Sequence, residues 1–454
     1  MFLKVKQQIN LITDIPGPNS RRIMAELAEY ESPAVTARHL ARAQAGGMDC
    51  PIVWSKTSDI FVEDVDGNCF MDLTAGFGVA SVGHAHPDII KAAQQQMAEM
   101  PHAMGDAFPG KNKVLLLKRL AEITPGNLQR TFLTNSGSEA VEAALKTAMI
   151  KTGRPGIIAF EDAYHGLSYG ALAVTSYRER FREPFLSQLN QHVHRLPYPT
   201  DKTNLNDFIQ LLEATIQQNS IGALIIEPIL GRGGIIEAPA IYLKKLREIT
   251  QKYGIIFIID EIYTGFGRTG TMFAIEQTDI NIIPDLLCLG KGMNAGFPIS
   301  AVIGTDDVMS GWGDAQGEAL HTSTFLGNPV GCAMALTCID LLENGVLANA
   351  KNMGDYFKAQ LIQLQKSTPV IIAIRGRGLM LGIEFDPAHQ KALLKLCKAL
   401  LQRGLIILPC GVLGNILSIT PPLTIQKTHI DIIIDILKIE LTTFFSGRHC
   451  EECF

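Results

Sequence analysis

Three stretches of the sequence combine residue types whose spacing fits chemistry on a small molecule. In the first, Thr134–Ala140, Ser136 and Glu139 have the spacing of a helix capping box, and Gly137 lets backbone N–H groups approach an anion. The stretch therefore predicts a phosphate site at a helix N-terminus. Taken alone, it fits an ordinary capped helix better, because such helices are very common.

The other two stretches each place a charged residue after a short apolar run. Asp260 closes the run Ile256–Asp260, and a carboxylate buried there is costly unless a positive group such as a protonated ring nitrogen pairs with it. Lys291 lies between two glycines after Leu286–Leu289, where burial would lower the pKa of its amine. Taken singly, Asp260 also fits a loop cap and Lys291 a solvated loop lysine.

The three stretches together match the needs of one cofactor. A phosphate cradle, a carboxylate for a ring nitrogen and an amine for an aldehyde are the groups that pyridoxal phosphate requires from a protein. We therefore expect Lys291 to carry pyridoxal phosphate as a Schiff base.

The elements that must position these residues alternate between helix and strand. Helical stretches such as Ser138–Lys151 and Ala240–Tyr253 separate short apolar runs, which suit strands buried on both faces of a parallel sheet. Ligands of such α/β sheets lie beyond the carboxyl ends of the strands, where Glu227, Asp260 and Lys291 fall.

The same pattern predicts the domain organisation. We expect an α/β fold with a large domain over residues 75–335, built on a mostly parallel sheet, and a smaller α+β domain over residues 336–454. Residues 1–74 are expected to contribute to the small domain, with a hairpin formed by Ile60–Asp64 and Cys69–Leu73. Within the small domain, Ile374–Phe385 is expected to be a strand.

Composition excludes several classes of partner. The 454 residues have a net charge of −5 that is spread along the chain, which gives no reason to expect nucleic acid. No apolar run approaches the roughly 20 residues of a membrane span. The nine cysteines lack paired spacing and predict reduced thiols in a cytoplasm. Cys450 and Cys453 form a Cys-x-x-Cys without a second ligand pair, so we expect no metal.

A family resemblance sharpens these expectations. From about Trp54 to Ile425, the sequence resembles the class III pyridoxal-phosphate-dependent aminotransferases, the ornithine and 4-aminobutyrate aminotransferase group within the aspartate-aminotransferase fold, which is fold type I. The matching motifs, in chain order, are Asp66-Gly67-Asn68, Gly83-His84-Ala85-His86-Pro87, Asn135–Ala140, Tyr164-His165-Gly166, Glu227-Pro228, Asp260-Glu261, Arg268-Thr269-Gly270, Gly290-Lys291, Gly327-Asn328-Pro329 and Pro421-Pro422-Leu423.

The resemblance implies a role for each matching residue. Lys291 would hold the cofactor and then act as acid and base, and Asp260 would pair with the ring nitrogen. The remaining cofactor contacts would come from Ser136, Gly137 and Ser138 at the phosphate, Tyr164 and His165 at the ring, Glu227 near the site, and Thr324 at the phosphate of the neighbouring subunit. The sites of the family need a homodimer, and Phe77 falls where the family lines the substrate entrance.

Three positions depart from the family pattern. Arg232 and Ser418 stand where many members that act on ω-amino acids carry a glutamate and an arginine that together admit the substrate carboxylate. One hypothesis is that Arg232 binds that carboxylate instead; the alternative is that it pairs with a protein carboxylate or faces solvent. Tyr263 stands where glutamine often lies near the cofactor's 3′-oxygen, and its phenol is able to donate the same hydrogen bond.

These observations favour an aminotransferase that moves an amino group from an amino acid or amine to a 2-oxo acid or aldehyde. The first alternative is racemisation or epimerisation, aminomutase chemistry or decarboxylation on the same cofactor, since Lys291 and Asp260 would serve all of these reactions. A non-catalytic cofactor-binding scaffold is a second. A dinucleotide-dependent oxidoreductase is a third, although no Gly-x-Gly-x-x-Gly turn follows the first strand.

Overall fold

The computed structural model describes residues 5–277, 279–313 and 319–445, and the chain divides into two compact units. The first, here called the small unit, combines Met1–His86 with Ala348–Phe454, and the large unit is Pro87–Leu347. The N-terminal segment therefore shares a unit with the C-terminal part of the chain. Both boundaries of the large unit lie later in the chain than those of the domain predicted over residues 75–335.

The helices and strands follow one another along the chain as listed here. The N-terminal part contains α1 (Pro18–Tyr30), α2 (Pro33–Ala45), β1 (Trp54–Ser58), β2 (Phe61–Asp64), β3 (Cys69–Asp72) and the short turn α3 (Ala75–Gly78). The central part contains α4 (Pro87–Glu99), α5 (Lys111–Ile123), β4 (Leu128–Thr134), α6 (Gly137–Thr152), β5 (Gly156–Phe160), α7 (Tyr169–Val174), β6 (Val193–Leu196), α8 (Leu205–Gln218), β7 (Ile221–Ile226), β8 (Ile229–Leu230), β9 (Ile236–Glu237), α9 (Ala240–Tyr253), β10 (Ile256–Asp260), β11 (Leu286–Leu289), β12 (Ser300–Thr305), α10 (Asp306–Met309) and α11 (Pro329–Leu341). The C-terminal part contains α12 (Leu347–Lys366), β13 (Ile371–Arg377), β14 (Met380–Phe385), α13 (Gln390–Leu401), β15 (Leu405–Ile406), β16 (Leu408–Cys410), β17 (Ile416–Ile419) and α14 (Lys427–Phe445).

The large unit is built on a seven-stranded sheet with the order β4-β12-β11-β10-β7-β5-β6. Every neighbouring pair from β11 to β6 is parallel, and β12 runs antiparallel to both of its neighbours. The three central strands β7, β10 and β11 are buried along their whole length, as expected for a sheet with both faces covered. The predicted α/β fold with a mostly parallel sheet is confirmed.

Parallel pairing explains how distant residues meet. Asp260 is paired with Cys288 across β10 and β11, so the chain positions that follow these strands emerge at one edge of the sheet. Lys291 comes three residues after Cys288, and Glu227 follows the last residue of β7, the other neighbour of β10. The expected convergence of Glu227, Asp260 and Lys291 at the carboxyl ends of the strands therefore follows from strand order and register.

The small unit contains two four-stranded sheets, ordered β1-β2-β3-β15 and β13-β14-β17-β16. The predicted hairpin is present as antiparallel β2 and β3, with Gly67 at a φ of 83° in the turn. The single strand expected over Ile374–Phe385 is wrong. Gly378, at a φ of 53°, lies in a turn there, and the segment folds into the antiparallel pair β13 and β14.

One helical run in the described residues, Pro329–Lys366, is long and apolar enough to cross a membrane by length and composition. Its most apolar part, α11, is also mostly buried within the folded chain, which is typical of a core helix. The run is interrupted at Asn344 and Gly345, whose backbone angles are not helical. Length and composition alone are therefore weak evidence for a membrane span.

Candidate active site

The predicted phosphate cradle lies at the start of α6, which follows the edge strand β4. Ser136 is the N-cap, and its hydroxyl accepts a hydrogen bond from the backbone N–H of Glu139 at 3.2 Å. The backbone N–H groups of Gly137 and Ser138 are the first of the helix and have no acceptor within it. A Cβ at Gly137 would lie 2.9 Å from the side chain of Ile262, so glycine is needed for this close packing.

The hydroxyl of Ser138 has partners of its own in the following loop. Its Oγ lies 2.6 Å from Oγ of Ser168 and accepts a hydrogen bond from the backbone N–H of Ser168 at 3.0 Å. Gly166, at a φ of 127°, passes so close that any side chain there would collide with Ser138. The loop that carries Tyr164 and His165 is therefore fixed against the N-terminus of α6.

Asp260 and His165 form a buried pair. Nδ1 of His165 lies 2.7 Å from Oδ2 of Asp260, and Oδ1 of Asp260 accepts a hydrogen bond from the backbone N–H of Ile262 at 3.0 Å. His165 is 2% exposed and Asp260 is 4% exposed. Burial lowers the pKa of His165, but the hydrogen bond and the charge of Asp260 outweigh it and raise that pKa above its usual value.

Lys291 follows β11 in a strained backbone conformation. Its φ of 38° lies in the left-handed region, which a residue with a Cβ adopts at a cost of about 1–3 kcal/mol and which clusters at functional sites. Its Nζ lies 3.8 Å from the centre of the Tyr263 ring. Desolvation lowers the pKa of Lys291 to about 8. The negative charges of Glu227 and Asp260 oppose this shift, and the positive charges of Arg232 and Arg268 add to it.

Glu227 holds together two loops of the site. Its carboxylate accepts hydrogen bonds from the backbone N–H of Tyr164 at 2.9 Å and of Gly231 at 3.0 Å. Burial raises the pKa of this carboxyl above its usual value. Gly231 in turn packs against the ring of Tyr263, where a Cβ would collide with the ring. Glu227 therefore fixes the backbone on which Arg232 is carried.

Arg232 is stacked on aromatic rings. Its guanidinium carbon lies 4.5 Å from the centre of the Tyr164 ring and 5.1 Å from that of Tyr177. No carboxylate of the described residues forms an ion pair with Arg232. Pairing of Arg232 with a protein carboxylate, one of the alternatives for this residue, is therefore not observed among them. The guanidinium charge also helps to lower the pKa of Lys291, which places it within electrostatic range of that amine.

The remaining predicted residues are Thr324 in the large unit and Phe77 and Ser418 in the small unit. Thr324 is exposed and follows Ser323, whose hydroxyl accepts a hydrogen bond from the Asn135 amide at 3.0 Å. Phe77 and Ser418 belong to the small unit; Phe77 is 62% exposed, and Ser418 lies within β17. Cys450 and Cys453 lie outside the described residues.

Three residues of the site had no role assigned from the sequence. Ser168 engages Ser138, Tyr177 holds one face of Arg232, and Arg268, only 2% exposed, contributes positive charge near Lys291. Arg268 stands in a motif of the family, which was a usable signal. Ser168 and Tyr177 carry no such signal, because their contacts arise only when the segment between β5 and β6 folds against the rest of the site.

The polar atoms of the site fit the groups of pyridoxal phosphate. Nε2 of His165 is buried and has no hydrogen-bond partner among the described residues, although Nδ1 is engaged by Asp260. A buried polar atom without a partner is costly, so a polar group bound beside it would be favoured. The cluster also provides backbone N–H groups for an anion, a carboxylate for a cation and an amine of lowered pKa for an aldehyde.

Comparison with known proteins gives a consistent result. The model of the family "Aminotransferase class-III" matches residues 43–441. A 4-aminobutyrate aminotransferase of Mycobacterium leprae is 34% identical, with 97% of this chain and 99% of that protein covered. An alanine/serine racemase of Pyrococcus horikoshii is 31% identical, with 96% and 94% covered.

The similarity extends to solved structures. An amine transaminase from an uncultivated Pseudomonas species, solved in its PLP-bound form, superimposes with a TM-score of 0.80 at 28% identity. The match covers 87% of this chain and 95% of that one. Most of the fold, and not one motif, is therefore shared.

Proposed function

This chain belongs to the class-III aminotransferase family and is a pyridoxal-phosphate-dependent aminotransferase, and on this premise we propose that Lys291 carries its cofactor. The observation that supports this assignment most directly is the amine itself, which is desolvated to a pKa of about 8 and held in a strained backbone at the edge of the sheet. An amine of lowered pKa is nucleophilic near neutral pH, which attack on an aldehyde requires.

Lys291 also has the properties of the proton-transfer group. When bound, pyridoxal phosphate supplies the electron sink that stabilises a carbanion at the amino-bearing carbon. Nζ of Lys291 would remove the proton from that carbon of the donor and deliver a proton to the cofactor within the same half-reaction, and the second half-reaction would reverse both transfers. A pKa near the operating pH suits a group that must both accept and donate, and such a group contributes about 10²–10⁴-fold to the rate.

Asp260 and His165 keep a positive ring nitrogen in place. The carboxylate of Asp260 is held by His165 and by the backbone N–H of Ile262, so its orientation is fixed. Its remaining lone pairs are available to a protonated ring nitrogen. His165 acts through Asp260 and is in our proposal a positioning residue.

The cradle and the two tyrosines hold the rest of the cofactor. The N–H groups of Gly137 and Ser138 and the hydroxyl of Ser136 are assigned to the phosphate, at the positive end of α6. Tyr164 is assigned to the ring face. The Tyr263 phenol is assigned to the 3′-oxygen, while its ring holds the amine of Lys291 whenever that amine is free.

Arg232 is assigned to the carboxylate of the 2-oxo acid acceptor. Its guanidinium is held by Tyr164 and Tyr177 and is not neutralised by a carboxylate of the described residues. A guanidinium matches a carboxylate in a two-pronged geometry. Phe77, by its place in the family pattern, is assigned to the substrate entrance. The substrates are then a small amino donor and a 2-oxo acid acceptor.

The working form is assigned as a homodimer in the cytoplasm. The homodimer rests on the family pattern at Thr324, which would reach the phosphate of the neighbouring subunit. The cytoplasmic location rests on the thiols, since Cys50, Cys69 and Cys288 are unpaired by disulfides, as in a reducing compartment. Neither nucleic acid nor a membrane enters the proposal. Sedimentation of the holoenzyme and fractionation of the cells that make it test these two statements.

A single-donor experiment tests the reaction. The holoenzyme is incubated with 4-aminobutyrate, acetylornithine or alanine, with no acceptor present. Aminotransfer converts at most one donor per active site to a carbonyl product and stops until pyruvate or 2-oxoglutarate is added. Continued turnover without acceptor, to the mirror-image amino acid, a rearranged amino acid or carbon dioxide, would instead support a racemase, aminomutase or decarboxylase and contradict aminotransfer.

A further inference from the structure

Two arginines to which the proposed aminotransfer gives no role lie at the outer edge of the large sheet. Arg195 lies on the edge strand β6 opposite Ala159 of β5, so the two side chains emerge on the same face of the sheet. Arg182 lies between two short 3₁₀ turns, Glu179–Phe181 and Glu183–Gln188, in the segment that joins α7 to β6. Both arginines belong to the large unit.

Apolar packing brings these two side chains together. Phe181 precedes Arg182, and Val193 lies two residues before Arg195 on the same face of β6. Both apolar residues pack against one buried cluster, which consists of Leu172, Ala173 and Leu189. Burial, together with the nearby positive charge of Arg182, lowers the pKa of Arg195 to about 10. The two guanidiniums are therefore neighbours that repel each other.

Neither guanidinium is neutralised by a carboxylate of the described residues. Arg195 donates a hydrogen bond to the backbone carbonyl of Ala173, which is a neutral acceptor, and the guanidinium of Arg182 donates none within the described ranges. Glu179 and Glu183, the acids nearest to Arg182 in sequence, are exposed and form no ion pair with it. No carboxylate in the described part of the chain offsets the lowered pKa of Arg195.

The Nε atoms of Arg182 and Arg195 are both buried without a hydrogen-bond partner among the described residues. Nε2 of His165, at the cofactor site, is in the same condition. A buried donor without a partner is costly, and more so on a charged group, so an acceptor bound there is favoured. Nε and an adjacent Nη of a guanidinium form an edge of two N–H donors, which matches two oxygens of a carboxylate or phosphate.

We propose that Arg182 and Arg195 form a binding site for a phosphate group. Two guanidiniums with no carboxylate between them provide two positive charges, and a phosphate monoester carries about −1.5 to −2 at pH 7. A simple carboxylate carries only one negative charge and has too few oxygens to serve both edges. The site goes beyond the proposed aminotransfer, and its ligand is either free phosphate or a small organic phosphate.

The first test is calorimetric titration of the holoenzyme, whose own cofactor already occupies the cradle at α6. The buffer contains no other phosphate or sulfate, and the ionic strength is constant. We expect inorganic phosphate to bind saturably and acetate to bind at least tenfold more weakly. Tighter binding of glycerol 3-phosphate than of inorganic phosphate would identify an organic phosphate as the ligand, and weaker binding would identify the free ion. Both of these results support the site.

Neutral substitutions show where the phosphate binds. Arg182→Gln and Arg195→Gln are each expected to weaken phosphate binding by about tenfold or more, because charge-assisted hydrogen bonds are lost. Arg180→Gln is the matched control, since Arg180 is an exposed arginine of the same segment whose guanidinium lies over the ring of Phe181. The control should bind phosphate as tightly as the wild type.

Thermal unfolding of the holoenzyme gives a second readout. Without phosphate, Arg182→Gln should have a Tm equal to or above that of the wild type, because it removes a charge that repels Arg195 and breaks no hydrogen bond of the described residues. Phosphate should raise the Tm of the wild type more than that of the variant. A lower Tm of the variant without phosphate would show that the protein itself satisfies this guanidinium, and would overturn the proposal.

Three results of the titration would also overturn the phosphate site. These are the absence of saturable binding, as when an acid of a second copy neutralises the pair, equal binding of acetate, and unchanged phosphate binding in both glutamine variants. Neither the titration nor the unfolding experiment measures turnover. Failure of this proposal would therefore leave the aminotransferase assignment intact.

Discussion

The catalytic cluster of the large unit and helix α2 of the small unit both carry charged side chains, but the two regions bury them differently. His165, Asp260 and Glu227 are at most 5% exposed, and burial together with their mutual contacts shifts the pKa values of His165 and Glu227. Arg38 and His39 of α2 are exposed. Buried charge can be tuned for proton transfer, whereas the charge of an exposed side chain is largely screened by solvent.

The comparison predicts that substitutions in the two regions have different effects on the reaction rate. Changes in the catalytic cluster are expected to lower the reaction rate, and charge changes on the exposed surface of the small unit are expected to leave the rate unchanged. The following predictions concern the cluster and its immediate surroundings and run from the largest expected effect to the smallest.

Lys291→Ala is expected to lower the aminotransfer rate by about 10⁴-fold, because it removes both the attachment point and the proton-transfer amine. Stopped-flow measurement of the first half-reaction with a single donor checks this. Lys391→Ala, at an exposed lysine of the small unit, is the control and should keep the wild-type rate. A Lys291→Ala protein that retained a tenth of the activity would contradict the role given to this amine.

Asp260→Asn is expected to lower the rate by about 10²–10³-fold, because the carboxylate assigned to the positive ring nitrogen is replaced by a neutral amide. The substitution should also lower the pKa of His165 below its usual value, because burial dominates once the carboxylate is gone. NMR titration of the imidazole measures this shift, and an unchanged His165 pKa would argue against the pairing.

Arg232→Ala is expected to raise the KM for the 2-oxo acid by about 10–100-fold with little change in cofactor affinity, since a charge-assisted hydrogen bond contributes about 1.5–3 kcal/mol. Tyr177→Phe keeps an aromatic ring beside the guanidinium and is the matched control. Equal KM values for wild type and Arg232→Ala, with pyruvate and with 2-oxoglutarate, would exclude carboxylate binding by this residue.

Tyr263→Leu is expected to have the smallest effect, a downward shift of the Lys291 pKa by about one unit or less. A ring face under an ammonium favours the charged form by about 0.5–2 kcal/mol, so its loss favours the neutral amine. Because the base is the neutral amine, the rate of proton removal should rise as the pH passes about 8 in the wild type and at lower pH in the variant. Tyr263→Phe keeps the ring and should keep the midpoint.

Much of the fold followed from local pattern. The run Leu286–Leu289 and the helix Ala240–Tyr253 were predicted with their observed bounds, because unbroken apolar runs and amphipathic spacing are local signals. The positions of Asp260 and Lys291 at strand ends followed as well, since parallel strands bring their carboxyl ends to one edge. The turn at Gly378 was missed because the segment contains Gly376, Gly378 and Gly382, and a glycine within a strand pattern also suggests a bulge.

Fewer of the contacts within the site than of the helices and strands could be predicted from the sequence. The segment between β5 and β6 carries Tyr164, His165, Ser168 and Tyr177, and the course of its first loop is set by tertiary contacts with Glu227 and Ser138. The hydrogen bond between His165 and Asp260 and the stacking of Arg232 on Tyr177 depend on that course. No local spacing encodes these contacts, so only the motif residues themselves were identified in advance.

The attachment of pyridoxal phosphate to Lys291 is tested most directly by borohydride reduction of the holoenzyme, followed by mass spectrometry of its peptides. Our account predicts that the mass of the reduced cofactor appears on the peptide that contains Lys291 and is absent from the Lys291→Ala protein. Its appearance on another lysine, or the failure of the wild-type protein to retain any cofactor, would contradict the account.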